Sequence, residues 1–254
     1  MVQPTLLFGA TLAFLCAGIY LYVGRVLSRR HQSTPGAGMA WLMFVTWWYA
    51  LALVTLLGGI LSLLCALGTI GLPLYTTIFI MNMFTTCVAF MGLMFYLLYL
   101  YTGNTSLIWP IGIFYFLYYG LIIYFIEASD PIGVTINRWN TNLQYQNAIR
   151  GPLFLIVLLL LVFPPIIGSL AYFMLFFQVK AKTQRYRILL VSWSIIIWFM
   201  SSFLANISGL AEQDWWQIAS RLIGLGAALI ILFAYQPPSW IKRRFGVAAI
   251  AEGP

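Results

Sequence analysis

The chain has 254 residues, 63% of them hydrophobic and only 7% charged, with a formal net charge of +8. That composition excludes an ordinary soluble domain and a disordered chain. The basic residues sit in short segments beside apolar runs rather than in a patch, which argues against nucleic acid as a partner.

The first apolar run starts almost at Met1 and ends before Arg25, Arg29 and Arg30. It has no basic segment ahead of it and no small-residue cleavage site, so a retained span is expected, not a cleaved leader. From Arg30 to Glu127, ninety-six residues then pass without Asp, Glu, Lys or Arg. A charge at the centre of a bilayer costs roughly 3 kcal/mol or more, and about 20 apolar residues cross the hydrocarbon layer. Turn chemistry divides this stretch: Gly68-Thr69-Ile70-Gly71-Leu72-Pro73 and then Thr102-Gly103-Asn104-Thr105. A polar, Asn-rich loop is expected over about 128–151, with Asn137, Asn140, Asn142 and Asn147. Further clean runs cover 151–179, 188–211 and 222–241. The expected fold is all-α: one polytopic seven-transmembrane-helix bundle, with spans at about 5–24, 39–66, 73–102, 107–127, 152–178, 187–209 and 216–235. Pro164-Pro165 is expected to kink the fifth.

Seven crossings place three loop or tail segments on one side. They carry Arg25, Arg29 and Arg30, then Lys180, Lys182, Arg185 and Arg187, then Lys242, Arg243 and Arg244, ten of the thirteen basic residues. The other side holds Arg138, Arg150 and Arg221 with Glu127, Asp130, Glu212 and Asp214. The positive-inside rule then gives an outside N-terminus and a cytoplasmic C-terminus in a multi-pass, prokaryotic plasma-membrane protein. Trp41, Trp47, Trp48, Trp109, Trp215, Trp216 and Trp240 mostly fall near span ends, where amphipathic rings favour the headgroup layer.

Absent chemistry narrows the function. The single histidine, His31, lies in a loop, so neither paired haem ligands nor an intramembrane metal site can be assembled. The last span has no lysine for a Schiff base, and no carboxylate lies at mid-depth for a proton relay. No catalytic residue, cofactor or metal is expected, and an enzyme is not. Cys16, Cys65 and Cys87 fall inside apolar runs as small hydrophobes, which implies no disulfide framework. Asn104-Thr105-Ser106 and Asn206-Ile207-Ser208 match the glycosylation tripeptide by chance.

Two polar stripes remain. Asn82, Thr85 and Thr86 share one face of the third span; Ser194, Ser201 and Ser208, with Ser202 and Asn206 beside them, share one face of the sixth. Read conservatively, they bond helices together at about 1 kcal/mol or less each. Read functionally, Asn82, Thr86, Ser202 and Asn206 line an outward-facing ligand cavity, with Glu127 and Arg221 at its rim, either paired with each other or meeting a polar ligand. The basic segments on the inner side suit anionic lipid.

Tyr20–Arg30 closing the first span, Leu100-Tyr101-Thr102-Gly103 closing the third, and Gln236-Pro237-Pro238-Ser239-Trp240-Ile241-Lys242-Arg243-Arg244 after the seventh resemble the prokaryotic seven-transmembrane sensor modules that precede histidine kinase or diguanylate cyclase domains. The resemblance implies sensing within the bundle or its outer loops. No effector domain follows here, so the expectation is a stand-alone sensor or receptor-like protein that signals to a cytoplasmic or membrane partner. The match to G-protein-coupled receptors is topological only, because Asp-Arg-Tyr and Asn-Pro-x-x-Tyr are missing. A non-catalytic subunit of a larger membrane complex is the alternative, and a transporter or channel for a neutral or hydrophobic molecule the second.

Overall fold

The computed structural model describes residues 3–33, 38–146, 163–205 and 213–246, with the side chains of 30–33, 163–165 and 202–205 outside that description. Eight α-helices and one β-hairpin make up the described chain. They are α1 (Pro4–Ser33), α2 (Gly38–Leu67), α3 (Leu72–Thr102), α4 (Ile108–Ala128), β1 (Pro131–Ile136), β2 (Thr141–Tyr145), α5 (Phe163–Gln178), α6 (Lys182–Ala205), α7 (Asp214–Tyr235) and α8 (Ser239–Phe245). Five of them, α1 to α4 and α7, are long and apolar enough to cross a membrane, which makes this a multi-pass membrane protein by length and composition.

The turn signals act where the sequence places them. Gly68 takes φ +66° and Gly103 φ +65°, a left-handed conformation that suits glycine because it lacks Cβ. The Gly103 N–H then closes α3 on the Tyr99 carbonyl at 2.8 Å. Pro73 sits in the first turn of α3, where no helical N–H is lost.

Helices α1, α2 and α3 pack in sequence, and α7 closes against both α1 and α6. One aromatic core joins them. Trp48 is fully buried, with Trp47 at 4.2 Å, Tyr20 at 6.1 Å and Tyr235 at 6.1 Å between ring centroids. Helices α2 and α3 approach closely at Gly92, where a Cβ would stand 2.8 Å from the Met43 carbonyl. Helix α4 buries one stripe, Tyr115, Tyr118, Ile122 and Ile126. Its other face exposes Trp109, Ile113, Phe116, Leu117 and Tyr124. A helix apolar on its outward face is suited to hydrocarbon, not to water.

The expected loop at 128–151 is the main difference. Over 131–145 it is an antiparallel hairpin, with Val134 opposite Leu143, Thr135 opposite Asn142 and Ile136 opposite Thr141, and a bulge between Pro131 and Gly133. The physical reason is in the residues themselves. Val134-Thr135-Ile136 and Thr141-Asn142-Leu143-Gln144-Tyr145 carry β-branched and alternating side chains, and Asn137 to Asn140 turn the chain, the Asn137 N–H reaching the Asn140 carbonyl at 2.8 Å. Leu143 is buried in a second apolar cluster with Leu6, Leu61, Cys65, Ala66 and Tyr75. The hairpin therefore sits on the end of the bundle formed by the start of α1, the end of α2 and the start of α3. The helical expectation otherwise stands for the described residues. The expected path of 152–162, and most of any kink at Pro164-Pro165, lie outside them.

Candidate functional site: the hairpin-capped end

Four helix side chains pin the hairpin to three different helices. The Tyr75 hydroxyl on α3 shares a 3.1 Å hydrogen bond with the Thr141 hydroxyl. Thr5, in the first turn of α1, donates to the Arg138 carbonyl. At the start of α7, Asp214 accepts from the Trp139 indole Nε1–H at 2.7 Å and pairs with the Arg138 guanidinium at 2.8 Å. Two turns deeper in α7, Arg221 donates from Nη2 to the Trp139 carbonyl at 2.5 Å and to the Asn140 side-chain oxygen at 3.3 Å. Its guanidinium carbon also lies 5.5 Å from the Trp139 ring centre. Trp139, at the tip of the hairpin, is 5% exposed.

Local sequence explains the geometry. Gly9 of α1 faces Arg221, and a Cβ there would stand 3.2 Å from Nη1, so the missing side chain leaves the space the guanidinium fills. The two hydrogen-bond partners of Arg221 are neutral oxygens, and its Nε meets no partner among the described residues. A cation half-removed from water is normally matched by a carboxylate. Here the aromatic face and neutral acceptors do that work in part.

The six residues expected to form an outward cavity separate into distinct roles. Asn82 is buried on α3 and donates from Nδ2 to the Val54 carbonyl on α2 at 2.9 Å. Thr86, also buried, turns back on the Asn82 carbonyl at 2.7 Å. The Thr86 hydroxyl is therefore satisfied within α3 itself, while Asn82 bonds α3 to α2. On α6, Ser194 does the same, donating to the Ala227 carbonyl of α7 at 2.7 Å. Glu127 is exposed at the end of α4, and Arg221 turns to Trp139 and Asn140 in place of it. The Ser202 side chain and Asn206, together with Ser208, Arg150 and Glu212, lie outside the described residues. Arg221 alone of the described set belongs to the polar cluster under the hairpin. The sequence reading missed Trp139, Asp214, Arg138, Tyr75 and Thr141. The period-two alternation in 131–145 was the signal for the hairpin that carries Arg138, Trp139 and Thr141; no local signal marked Tyr75 or Asp214.

The opposite end is built differently. There the start of α2, the ends of α3, α5 and α7 and the start of α6 surround a cavity of about 340 Å³. No group of three or more His, Cys, Asp or Glu side chains suited to a metal occurs among the described residues. Compared with known proteins, the chain finds no match: no family model, no curated protein and no solved structure. Function has to be argued from these two ends.

Proposed function

We propose that the chain is a seven-helix membrane sensor or receptor-like protein, with its N-terminus outside and its C-terminus in the cytoplasm. The seven spans comprise the five long apolar helices together with α5 and α6. Helix α6 carries no charge after Arg187 and α5 none at all, which suits both to hydrocarbon. The ten basic residues clustered at one end favour that end as cytoplasmic.

The sensing reading rests on one observation: Arg221, held under the hairpin by neutral partners, sits on the helix that continues through Gln236-Pro237-Pro238 into basic α8. A polar ligand reaching the hairpin from outside competes for Arg221 or Asp214, and α7 is the rigid element that carries the change inward. The outward cavity framed by Asn82 and Thr86 is not part of this reading, because the Asn82 amide is taken up by α2 and the Thr86 hydroxyl by its own helix. Helix α8 suits contact with a cytoplasmic partner, since Lys242, Arg243 and Arg244 fill its last turn while Ile241 is buried against the bundle.

Epitope tags at both termini test the topology, and tags on the same face of the membrane reject it. Signalling through α7 is tested with a fluorescent label on Ser239→Cys in a background lacking Cys16, Cys65 and Cys87. Arg221→Gln frees the hairpin and leaves Trp139 and Asn140 without their donor, and the label's emission should shift. Unchanged emission, with faster amide exchange across 131–145, would make the hairpin a static plug. That result favours the alternative, a non-catalytic subunit of a larger membrane complex, for which the broad aromatic outer face of α4 is the supporting observation.

A further inference from the structure

The 340 Å³ cavity at the basic end combines features that the hairpin-capped end lacks. Its aromatic wall is continuous. Phe44 of α2 stacks on Tyr96 of α3 at 4.2 Å, Tyr96 lies 6.4 Å from Tyr172 of α5, and Phe44 lies 6.4 Å from Tyr235 of α7. Tyr96, Tyr172 and Tyr235 all line the cavity. Arg187, from the second turn of α6, reaches into this wall close to Tyr172 and Tyr235. Gln184, one turn earlier, completes the polar side. Among the described residues the lining contains one cation, several donors and no carboxylate.

Those groups select for one kind of ligand. A guanidinium presents a planar fork that matches phosphate oxygens, and hydrogen bonds between ionised partners are about twice as strong as neutral ones. Tyrosine hydroxyls and a glutamine amide add donors suited to the remaining oxygens. The aromatic wall offers nothing to a fully hydrated ion but suits an apolar stem attached to it. A volume of about 340 Å³ lies in the range of small-molecule sites and exceeds what one phosphate ion fills. Outside the lining, Lys180, Lys182 and Arg185 lie in the segment between Val179 and Arg187, and Arg185 is stacked 4.3 Å over Phe176. They raise the local concentration of anions without entering the cavity.

We propose that this cavity binds one phosphate-bearing group, with Arg187 as its anion contact and Tyr172 and Tyr235 beside it. The same chemistry is available from two sources, the headgroup of an anionic phospholipid in the inner leaflet and free phosphate in the cytoplasm. The site belongs to the helix bundle itself; only its assignment to the inner leaflet rests on the orientation proposed above. Termini tagged to the wrong faces would therefore reject that orientation and leave the binding result standing.

The test uses the full chain in neutral detergent. In one arm it receives phosphatidylglycerol or phosphatidylcholine, in the other inorganic phosphate, and bound lipid is counted by native mass spectrometry while thermal stability is followed. The expected result is one retained phosphatidylglycerol per chain with a higher melting temperature, and neither effect with phosphatidylcholine. Arg187→Gln should weaken that binding about tenfold or more, whereas Arg185→Gln, which removes a cation outside the lining, should leave it within about twofold. Tyr235→Phe, which keeps the ring and removes one donor, supplies a milder variant should Arg187→Gln fail to fold. Stabilisation by inorganic phosphate alone, lost in Arg187→Gln, would support the site with the soluble source. Equal loss in the Arg185 and Arg187 variants, or no selective effect of either phosphate source, would overturn it.

Discussion

The two ends of this bundle solve the same problem with opposite materials. At one end, the backbone is closed by a hairpin whose tip is threaded into α1, α3 and α7 by directional hydrogen bonds, and the space beneath is filled by Arg221 and Trp139. At the other end, the helix ends part around a cavity walled by aromatic rings and edged by Arg187. Both ends hold a partly shielded arginine. Arg221 meets two neutral oxygens with the hairpin filling the space beside it, while Arg187, which has contacts of its own, also lines open space large enough for a ligand. Burial of charge therefore does not identify a binding site by itself. What differs is whether the protein's own backbone has taken the room.

The sharpest way to break that contrast is to empty the capped end. Trp139→Ala removes the buried indole, the hydrogen bond to Asp214 and the ring beside Arg221 in a single step. Truncating a buried tryptophan costs about 3–5 kcal/mol when the gap cannot close. The hairpin can swing away, so a loss near 3 kcal/mol is expected, read as a lower melting temperature. Amide exchange in 131–145 should rise strongly, while α2 and α3 near Gly92 stay protected. If protection falls uniformly along the chain, the cap is part of the global core and the two ends are not separate.

The next largest effect should come from Gly92, which lies nearer the open end. A methyl group there would press on the Met43 carbonyl at 2.8 Å and the Trp47 amide at 3.3 Å, and neither is a movable side-chain tip. Gly92→Ala is expected to cost about 1–3 kcal/mol by pushing α2 away from α3. Since Phe44 and Tyr96 stack across that same junction, the aromatic wall should open too. The discriminating measurement is lipid retention beside stability: this variant should lose bound phosphatidylglycerol, and Trp139→Ala should keep it.

How much of this was legible before the structure follows from the range of each signal. The helices came from runs of apolar residues and from Gly68 and Gly103, signals that act within a few positions. Asn82 and Thr86 were correctly placed on one face, but a face tells only that a side chain points inward. Whether it meets a carbonyl such as that of Val54 or a cavity depends on how the neighbouring helix is rotated, which periodicity does not encode. The hairpin was written locally in Val134-Thr135-Ile136 and in Thr141 to Tyr145, yet its Asn-rich composition masked the alternation. Its partners were beyond local reach: Thr5 and Arg138 lie 133 positions apart, and Arg221 and Trp139 are separated by 82. The Arg187 cavity depends on five helix ends converging, so only tertiary packing discloses it.

The smallest expected effect concerns the ion pair between Arg138 and Asp214, and it refines the account of what holds the cap. The pair is short, 2.8 Å, but its side chains remain 67% and 40% exposed. At that exposure water and salt screen most of the attraction, and such pairs contribute about 0–1 kcal/mol. Asp214 has a second role, accepting the Trp139 indole hydrogen bond, which lies on the buried side. The two roles separate cleanly. Arg138→Gln removes only the exposed partner, so it should change stability by well under 1 kcal/mol, and that small change should vanish in high salt. Asp214→Asn retains an oxygen that can accept from Trp139 and should behave almost the same. Asp214→Leu takes away the acceptor and should destabilise the hairpin by about 1 kcal/mol more, independently of salt. If Arg138→Gln proved as damaging as Asp214→Leu, the cap would be an electrostatic clasp rather than a packed one, and Trp139 would lose its place as the residue that closes this end.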